Sequence, residues 1–483
     1  MKKTFLFYDI ETTGLNKAFD QILQFASIRT DERFNEIERH NIRVALRPDV
    51  VPSPEAVLTH MTFGRDENEL CELDGISKIH ALVNRPGTIS LGYNTLGFDD
   101  EFLRFSFYRN LLSPYTHQYA AGCNRMDIFA AAIFYFYYKK DAIIWPEKEG
   151  KPTLKLEEIN KANGFAEGMA HDAMVDVEVT LGLAKKLSGF KDVWEYISGY
   201  FSKNDDSSRI EKLPVAFESQ FGRHRMGLMV NSDLGYSGSH HAPVLLLGGS
   251  IPYKNQTLWL RLDLPEIPSS TLDNVHETTR VARKRLGEPG FMLPPSDRFL
   301  KNVSDERMKT ASDNIKWLKA NPEIFSVIIN YHANFRYPEV PNVDADAALY
   351  VNGFISKQTE ELGRRFIRAD FQSKVSMLKE FREKTPSQIA KRILFRNYPE
   401  SLDIAEIMTE HKFCINSLLP GNENIIPVDH RGDRKLTPES ALNTIDDILS
   451  GKTERTIDIE QQRILSDLRG YIVSAFIDRK IDL

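Results

Sequence analysis

Short apolar runs alternate with segments of helical period over the first 190 residues of the chain. Apolar and β-branched residues dominate the predicted strands, which cover residues 4–8, 24–29, 42–45 and 88–93. Apolar positions recur three and four residues apart in the predicted helices, which cover residues 99–110, 128–138, 156–163 and 173–187. This order of elements predicts a mixed α/β domain over residues 1–190.

The pattern changes after residue 200. Residues 202–208 are polar and turn-rich, which predicts a linker, and strand-like segments follow at 228–231, 243–247 and 258–262. Helices are expected near 278–286 and at 306–320, and Pro338 and Pro341 indicate a second boundary. From residue 345 the pattern is helical almost to the end, apart from 419–438. We therefore expect a β domain with helices over 200–340 and a helical domain over 345–483.

Composition narrows the class of protein. The 483 residues are 41% hydrophobic and 27% charged, which excludes a mainly disordered chain. Cys71, Cys123 and Cys414 lie far apart without a CxxC pair, which argues against a disulfide framework or thiolate metal site and favours the cytoplasm. The longest apolar run, 128–138, is too short for the ~20 residues of a membrane span. The net charge of −6 does not indicate a general nucleic-acid binder, although one local groove needs no global excess of cations.

The first candidate for chemistry is the pair Asp9 and Glu11 at the end of the opening strand. Side chains two residues apart on a strand point to the same face, so two carboxylates lie side by side there. Such oxygens are natural ligands of Mg²⁺ or Mn²⁺. The alternative is a strand end that carries two solvated acids.

Two further segments carry acids at helix starts. In GYNTLGFDDEF, Asp99 follows a strand and a turn and can point back toward the strand ends, whereas Asp100 and Glu101 are interpreted as charges that favour the helix dipole. In HDAMVD, the pattern places His171 in a loop, Asp172 at the helix N-cap and Asp176 one turn into the helix. Taken alone, His171 is also typical of a surface or capping histidine.

The three segments occur in the order DxE, NxxxFD and HxxxxD, which resembles the DEDD superfamily of 3′-to-5′ exonucleases, in the subgroup with a histidine general base. GYNTLGFDDEFLR, FYRNLLSPY, INKANGFAEGMAHDAMVDV, DNIKWLKANPE and NVDADAALYVNGF extend the resemblance to the bacterial exonuclease I family over nearly the whole chain. The resemblance implies a ribonuclease H-like exonuclease domain, a small SH3-like β-barrel domain and an all-helical C-terminal domain.

The resemblance also implies a mechanism. Two Mg²⁺ ions, for which Mn²⁺ substitutes, would be held by Asp9, Glu11, Asp99 and Asp176, and His171 would be the general base. The products would be 5′-mononucleotides cut from the 3′ end of single-stranded DNA, processively and in the service of DNA repair or recombination. An RNA-trimming or proofreading exonuclease is the alternative with the same chemistry, and a non-catalytic nucleic-acid clamp is the alternative of a different class.

Substrate contacts are expected at Glu11, Arg104, Tyr115, Tyr119 and Lys155, by family resemblance together with the use of cations and aromatic rings by single-strand binders. The family pattern is more arginine-like where Lys155 stands. Packing in a core or loop is the alternative for the two tyrosines. Basic stretches at 280–285 and within 361–400 are equally interpretable as solvated faces or as a DNA track.

The resemblance finally implies partners. We expect single-stranded DNA and the acidic, Phe-ending C-terminal tail of single-stranded DNA-binding protein to bind the chain. Such a tail needs a basic patch beside an apolar pocket. We expect a monomer and no membrane association.

Overall fold

The computed structural model describes residues 2–63, 69–168, 172–237, 239–353, 355–422 and 424–478. Its first part is a five-stranded mixed sheet with strand order β3-β2-β1-β4-β5, in which β1 pairs antiparallel with β2 and parallel with β4. The strands are β1 (Thr4–Thr12), β2 (Ile22–Thr30), β3 (Glu36–Arg43), β4 (Thr88–Gly92) and β5 (Asn124–Asp127). The helices are α1 (Pro54–His60), α2 (Glu72–Val83), α3 (Asp99–Arg109), α4 (Ile128–Tyr138), α5 (Leu156–Asn163), α6 (Ala173–Ser188) and α7 (Lys191–Ser198). Between α4 and α5 lies a short hairpin of β6 (Glu147–Lys148) and β7 (Lys151–Pro152).

Burial on both faces explains the apolar strands. Every residue of the interior strand β2 is buried, because α6 covers one face of the sheet and α2 and α3 cover the other. The predicted strands and helices of this part occur as expected, with one difference. The third strand is Glu36–Arg43 rather than residues 42–45, because its exposed edge carries charged residues that hide the strand pattern.

The second part is an antiparallel sheet with the path β12-β11-β10-β9-β13, and β8 also pairs with β9. Its strands are β8 (Val215–Ser219), β9 (Gly222–Val230), β10 (His241–Gly249), β11 (Gln256–Arg261), β12 (Val281–Arg285) and β13 (Phe291–Leu293). Its helices are α8 (Lys203–Glu211), α9 (Val275–Thr278), α10 (Asp297–Leu300), α11 (Asp305–Ala320) and α12 (Pro322–Asn334).

Two sequence predictions fail in this part. Residues 202–208 are not a linker: Ser202 caps α8, and the buried Asp206 of that helix pairs with Lys284 Nζ at 2.8 Å. Residues 278–286 are not a helix, because Val281–Arg285 pairs with β11 as a strand. In both segments, contacts with distant residues determine the conformation rather than local composition.

The third part is helical, as predicted. It comprises a 3₁₀ segment at Ala345–Tyr350 and the helices α13 (Lys357–Arg368), α14 (Phe371–Met377), α15 (Lys384–Asn397), α16 (Ala405–Asn416), α17 (Pro438–Leu449) and α18 (Ile459–Ile472). Residues 419–437 are irregular in their described positions, apart from isolated bridges of Val428 with Val343 and Arg434, and α17 begins at Pro438, the last residue of the predicted irregular stretch.

The parts share cores. Phe134 of α4 lies in one apolar cluster with Leu228, Phe291 and Phe299 of the second part. Val57 and Leu58 of α1 lie in another with helices α17 and α18. Tight burial across these junctions means that each part depends on the others for its apolar contacts.

A buried ion network also joins the first and third parts. Asp49 is fully buried, and its carboxylate accepts hydrogen bonds from Arg396 Nη2 at 2.7 Å and from Lys435 Nζ at 3.3 Å. Arg396 Nη2 also reaches Asp346 Oδ2 at 2.5 Å. Burial opposes the charge on Asp49, but Arg396, Lys435 and Arg47 hold the pKa of Asp49 well below its usual range.

All three cysteines are free thiols. Among the residues that the structure describes, no helix combines the length and apolar content that crossing a membrane requires.

Candidate active site

Asp9 and Glu11 lie near the end of β1, opposite Ala26 and Gln24 of β2. The chain turns sharply after them. Thr13 Oγ1 donates to Asp20 Oδ1 at 2.9 Å and the Asn16 amide donates to Asp20 Oδ2 at 2.8 Å. The loop that follows the two acids is therefore closed by a buried carboxylate rather than left to solvent.

Asp99 is buried in the first turn of α3, next to the end of β4. Gly92 closes β4, where a Cβ atom would lie 2.5 Å from the Tyr8 carbonyl oxygen, so β1 and β4 approach closely just below the acids. Asp127 accepts the amides of Asn94 at 2.9 Å and Leu96 at 3.1 Å, which fastens the turn between β4 and α3. A hydrogen bond from the Ile10 backbone to Asp99 connects this acid with β1.

Asp176 lies one turn into α6, as the sequence predicts. The carboxylate of Asp172 caps the helix by accepting the Met174 amide at 2.9 Å and the Val175 amide at 3.4 Å. The helix packs against β1 and β2, so it brings Asp176 to the sheet edge that carries Asp9 and Glu11. His171 lies outside the described residues.

Four of the predicted acids lie close enough to one another to raise the pKa values of three of them. Burial, and then the nearby Asp99 and Asp176, raise the pKa of Asp9. Burial, and then Asp9 and Asp176, raise the pKa of Glu11 to about 9. Burial also raises the pKa of Asp99, with Asp127 and Glu11 adding to it. No described basic side chain forms an ion pair with Asp9, Glu11 or Asp99.

Asp9, Glu11 and Asp99 have no cationic partner among the described residues, and such carboxylates fit hard divalent cations, because each added positive charge relieves burial and mutual repulsion at once. Within the described ranges, no group of three His, Cys, Asp or Glu side chains forms a ready-made metal site. The donor chemistry of the acids fits a divalent metal. The described side chains, however, do not converge on one point as three ligands of a single ion would.

Asp100 has a different role from the one predicted, and Arg104 is one of its partners. Asp100 is not a solvated helix charge, because it is fully buried. Its carboxylate accepts hydrogen bonds from Arg104 Nη2 at 2.7 Å, Arg125 Nη1 at 2.5 Å and His117 Nε2 at 2.9 Å. Burial opposes its ionisation, but Arg104 and Arg125 hold the pKa of Asp100 well below its usual range. Arg104 is itself buried, and it also pairs with Glu101.

The other predicted substrate contacts differ in exposure. Tyr115 is half-buried, and the Arg104 guanidinium lies 5.8 Å from its ring centroid. Tyr119 is 64% exposed, and Lys155 is exposed at the start of α5. Of these four residues, Tyr119 and Lys155 are available at the surface and Arg104 is engaged by neighbouring side chains.

Comparison with known proteins identifies nucleases that are similar to this chain. An exonuclease family model, RNase_T, matches residues 6–184, which contain all five predicted catalytic residues. Exodeoxyribonuclease I of Escherichia coli (strain K12) is 29% identical over 438 residues, which cover 84% of this chain and 88% of that protein. Exodeoxyribonuclease I of Haemophilus influenzae is 36% identical over 214 residues, which cover 44% of this chain and 45% of that protein. The chain is therefore similar to exodeoxyribonuclease I over most of its length, and its residues 6–184 match an exonuclease family model.

The fold agrees with solved structures of exonuclease I over nearly the whole chain. The crystal structure of E. coli exonuclease I in complex with a dA16 oligonucleotide has a TM-score of 0.83 at 23% identity, and the match covers 98% of this chain and 100% of that one. The structure of SSB/exonuclease I in complex with the inhibitor CFAM has a TM-score of 0.81 at 23% identity, with 98% and 100% covered. The predicted fold class is confirmed.

The two basic stretches that the sequence singles out are largely engaged within the protein. In β12, Lys284 is buried against Asp206, and Arg283 donates to the His332 carbonyl oxygen at 3.2 Å. Within 361–400, Arg392 and Arg396 are buried in ion pairs. Composition overstates both stretches, because strand and helix periodicity turn some of their cations inward: Lys284 in β12, and Lys374, Arg392 and Arg396 within 361–400.

Sequence reasoning missed two residues that build the site. Asp127 both caps α4, by accepting the Phe129 amide at 2.9 Å, and fastens the turn before Asp99. Its position between a strand and an apolar helix was the available signal. Asp429, 413 residues from Asn16, accepts the side-chain amide of that residue at 3.0 Å, and no local pattern indicates such a contact.

Proposed function

We propose that the chain is a 3′-to-5′ exonuclease that hydrolyses single-stranded DNA to 5′-mononucleotides. The observation that carries the proposal is the cluster of Asp9, Glu11, Asp99 and Asp176, in which burial and mutual repulsion raise the pKa of the first three. Raised pKa values without a cationic partner are a feature of sites built for a charged ligand rather than for stability. The exodeoxyribonuclease I relatives supply the substrate class, and the match of nearly the whole chain argues against a lone trimming domain.

The exonuclease family is metal-dependent, and we propose Mg²⁺, in two sites, as the metal, with Mn²⁺ as a substitute. Asp9, Glu11, Asp99 and Asp176 would hold the ions, which when bound polarise the phosphodiester and lower the pKa of water. Asp127 and the Ile10 backbone orient Asp99 within this set. Asp172, through its cap of α6, positions Asp176.

We assign the remaining steps to the chain's own groups. His171, the residue before the Asp172 cap, would accept the proton of the attacking water. Glu11 would contact the terminal nucleotide as well as metal. The exposed side chains of Tyr119 and Lys155 would also contact the nucleotide. Arg104, buried against Asp100 and Glu101, would act by holding α3 and Tyr115 in place.

Digestion of 5′-labelled dT16, the corresponding duplex and an RNA 16-mer, each with Mg²⁺ and with EDTA, tests the function. We expect a ladder shortened from the 3′ end, and release of 5′-mononucleotides, for single-stranded DNA with Mg²⁺ only. Preferential digestion of RNA would favour a trimming enzyme. Binding of all three without hydrolysis would contradict catalysis and favour a clamp.

We also propose that the acidic, Phe-ending tail of single-stranded DNA-binding protein docks on the chain, since the structure of SSB/exonuclease I comes from a protein of the same fold. Carboxylates would meet surface cations and the terminal Phe an apolar pocket. Fluorescence anisotropy of a labelled tail peptide should show binding that weakens as salt is raised. Absence of binding at low salt, or binding indifferent to removal of the Phe, would contradict the docking.

The division into domains 1–190, 200–340 and 345–483 remains our proposal, as do a monomeric state, processive digestion and a cytoplasmic location. The change from mixed sheet to antiparallel sheet to helices supports the boundaries. The free thiols support a reducing compartment.

A further inference from the structure

The backbone that carries Glu11 leaves regular strand pairing directly after this residue. Glu11 pairs with Gln24 of β2, but the next pair is Thr12 with Ile22, so the register shifts between Glu11 and Thr12. On the other side, β1 pairs with β4 only as far as Phe7. The sheet therefore holds Glu11 from one side, next to an irregularity, and other contacts must add to it if this end of the strand is to keep a fixed geometry.

Helix α1 supplies two of those contacts. Its N-cap residue, Ser53, donates its backbone N–H to the Thr13 carbonyl oxygen at 2.7 Å. His60, the last residue of α1, forms a hydrogen bond of 2.8 Å from Nε2 to the Thr12 carbonyl oxygen. Because a carbonyl oxygen can only accept, the proton of this bond is on Nε2. The two ends of α1 therefore bond the carbonyl groups of the two residues that follow Glu11.

Apolar contacts fix α1 in the helical part of the chain. Val57 and Leu58 are buried in one cluster with Ile445 of α17 and Leu468 of α18. Moving α1 would disturb this cluster, so the helix cannot follow a strand end that shifts. The bonds from Ser53 and His60 thus tie the end of β1 to a rigid support.

The position of Glu11 depends on this support because its neighbours oppose its charge. Burial, and then Asp9 and Asp176, raise the pKa of the Glu11 carboxyl to about 9. The neighbouring acids repel the charged form of Glu11, and a loosely held strand end would let its side chain move away from them. The bonds from α1 oppose this movement, because they fix the backbone one and two residues beyond Glu11.

We propose that His60 is a positioning residue of the metal site: through the Thr12 carbonyl group it holds Glu11 where Mg²⁺ binds. The assignment rests on the proposed metal-dependent exonuclease function. It adds to that function a share for the helical part, which fixes the geometry of a metal ligand through α1. Removing the bond should therefore weaken metal binding while all four carboxylates remain in the chain.

The test is Mg²⁺ binding to the metal-free full chain without DNA, measured by calorimetry, so that the readout does not depend on hydrolysis. We compare His60→Ala, His60→Gln and His60→Asn. The side-chain amide of Gln extends about as far as Nε2 of His, whereas that of Asn is one methylene shorter. His60→Ala and His60→Asn should weaken Mg²⁺ binding about 10-fold, the lower end of what groups behind metal ligands contribute. His60→Gln should bind Mg²⁺ nearly as the wild type does.

His80 provides the matched control. It lies in the last turn of α2, its Nε2 bonds the Ser113 carbonyl oxygen at 3.1 Å, and its ring packs edge-on against Phe107. His80→Ala therefore removes the same kind of bond, together with packing, away from the end of β1. We expect this variant to lower the melting temperature at least as much as His60→Ala does and to leave Mg²⁺ binding unchanged.

Hydrolysis gives a second readout. With dT16 as substrate, the Mg²⁺ concentration for half-maximal rate should rise about 10-fold in His60→Ala, in proportion to the lost metal affinity. The KM for DNA should not change, because the bond supports a metal ligand. Excess Mg²⁺ should restore most of the rate, which it could not do if the variant had lost its fold.

The outcomes separate this role from the proposed function. If the wild type digests dT16 but His60→Ala and His60→Asn bind Mg²⁺ as the wild type does, the role of His60 is overturned and the exonuclease function stands. Equal losses in His60→Gln and His60→Asn, or in His80→Ala, would also overturn it, because the bond to Thr12 would not be the cause. If the wild type binds Mg²⁺ without digesting dT16, the exonuclease function is overturned, and calorimetry still decides the role of His60. If His60→Ala does not melt cooperatively, the comparison of His60→Gln with His60→Asn decides it.

Discussion

Asp9 lies among like charges in its metal-free state, and this determines what its substitution does. Asp9→Asn removes a metal ligand and one source of repulsion, so we expect the hydrolysis rate to fall by at least about 10²-fold while the metal-free melting temperature holds or rises. Asp176→Asn should behave in the same way. Asp192→Asn, an exposed acid of α7, is the matched control for lost charge. A variant that keeps more than a tenth of the wild-type turnover would contradict the metal assignment.

Glu11 makes stability depend on pH. Its folded-state pKa of about 9 exceeds its ordinary value of 4.5, so the folded state binds the proton more tightly than the unfolded state does. The stabilisation is complete below pH 4.5 and is lost as pH rises toward 9. We expect the metal-free melting temperature to fall between pH 5 and pH 9, Glu11→Gln to flatten this dependence, and added Mg²⁺ to raise the melting temperature most at pH 9. An unchanged profile in Glu11→Gln, with exposed Glu147→Gln as control, would contradict the raised pKa.

The role that we propose for His171 rests on the resemblance to exonucleases with a histidine general base. As a general base it should account for about 10²- to 10⁴-fold in rate. His171→Ala should therefore lose activity in this range and retain Mg²⁺ affinity, measured by calorimetry. A collapse of metal binding would instead make His171 a ligand.

At the scale of elements, the turn between β4 and α3 depends on one buried carboxylate. Asp127→Ala removes an N-cap and leaves the amides of Asn94 and Leu96 without their acceptor. We expect a loss of about 2–4 kcal/mol in unfolding free energy, together with reduced activity because Asp99 follows this turn. Ser304→Ala, which removes only the cap of α11, should cost about 1 kcal/mol. Equal losses measured by urea denaturation would show that Asp127 acts as a cap alone.

The elements also show how far sequence reasoning reaches. The apolar run at 128–138 and the capped start of α6 are predictable because their signals are local. The helix at 203–211 and the strand at 281–285 are not, because the Asp206–Lys284 pair and the β11 register act across the fold. The same holds within the site. Spacing identifies Asp9, Glu11, Asp99 and Asp176, but only the structure shows that Arg104 is occupied and that Asp127 and Asp429 support the site.

At the scale of the whole molecule, the shared cores predict that the first part does not fold alone. A fragment of residues 1–190 would expose the surface of α4 that Phe299 covers, and the surface of α1 that α17 and α18 cover. We expect it to lack a cooperative thermal transition in calorimetry, whereas the full chain unfolds in one. A 1–190 fragment that melts cooperatively within a few degrees of the full chain would contradict this dependence.

The buried Asp49–Arg396–Asp346 network has a consequence for how this protein diverges over generations. The buried charge of Asp49 is tolerated because Arg396, 347 residues away in the sequence, is present, and Asp346, 50 residues from Arg396, pairs with the same guanidinium. A change at either end alone leaves an uncompensated interior charge and is removed by selection, so the ends must be inherited together. Recombination that exchanges the C-terminal half of the chain with that of a divergent relative would separate Asp49 from Arg396. Joint replacement of both residues is the route by which this junction can change.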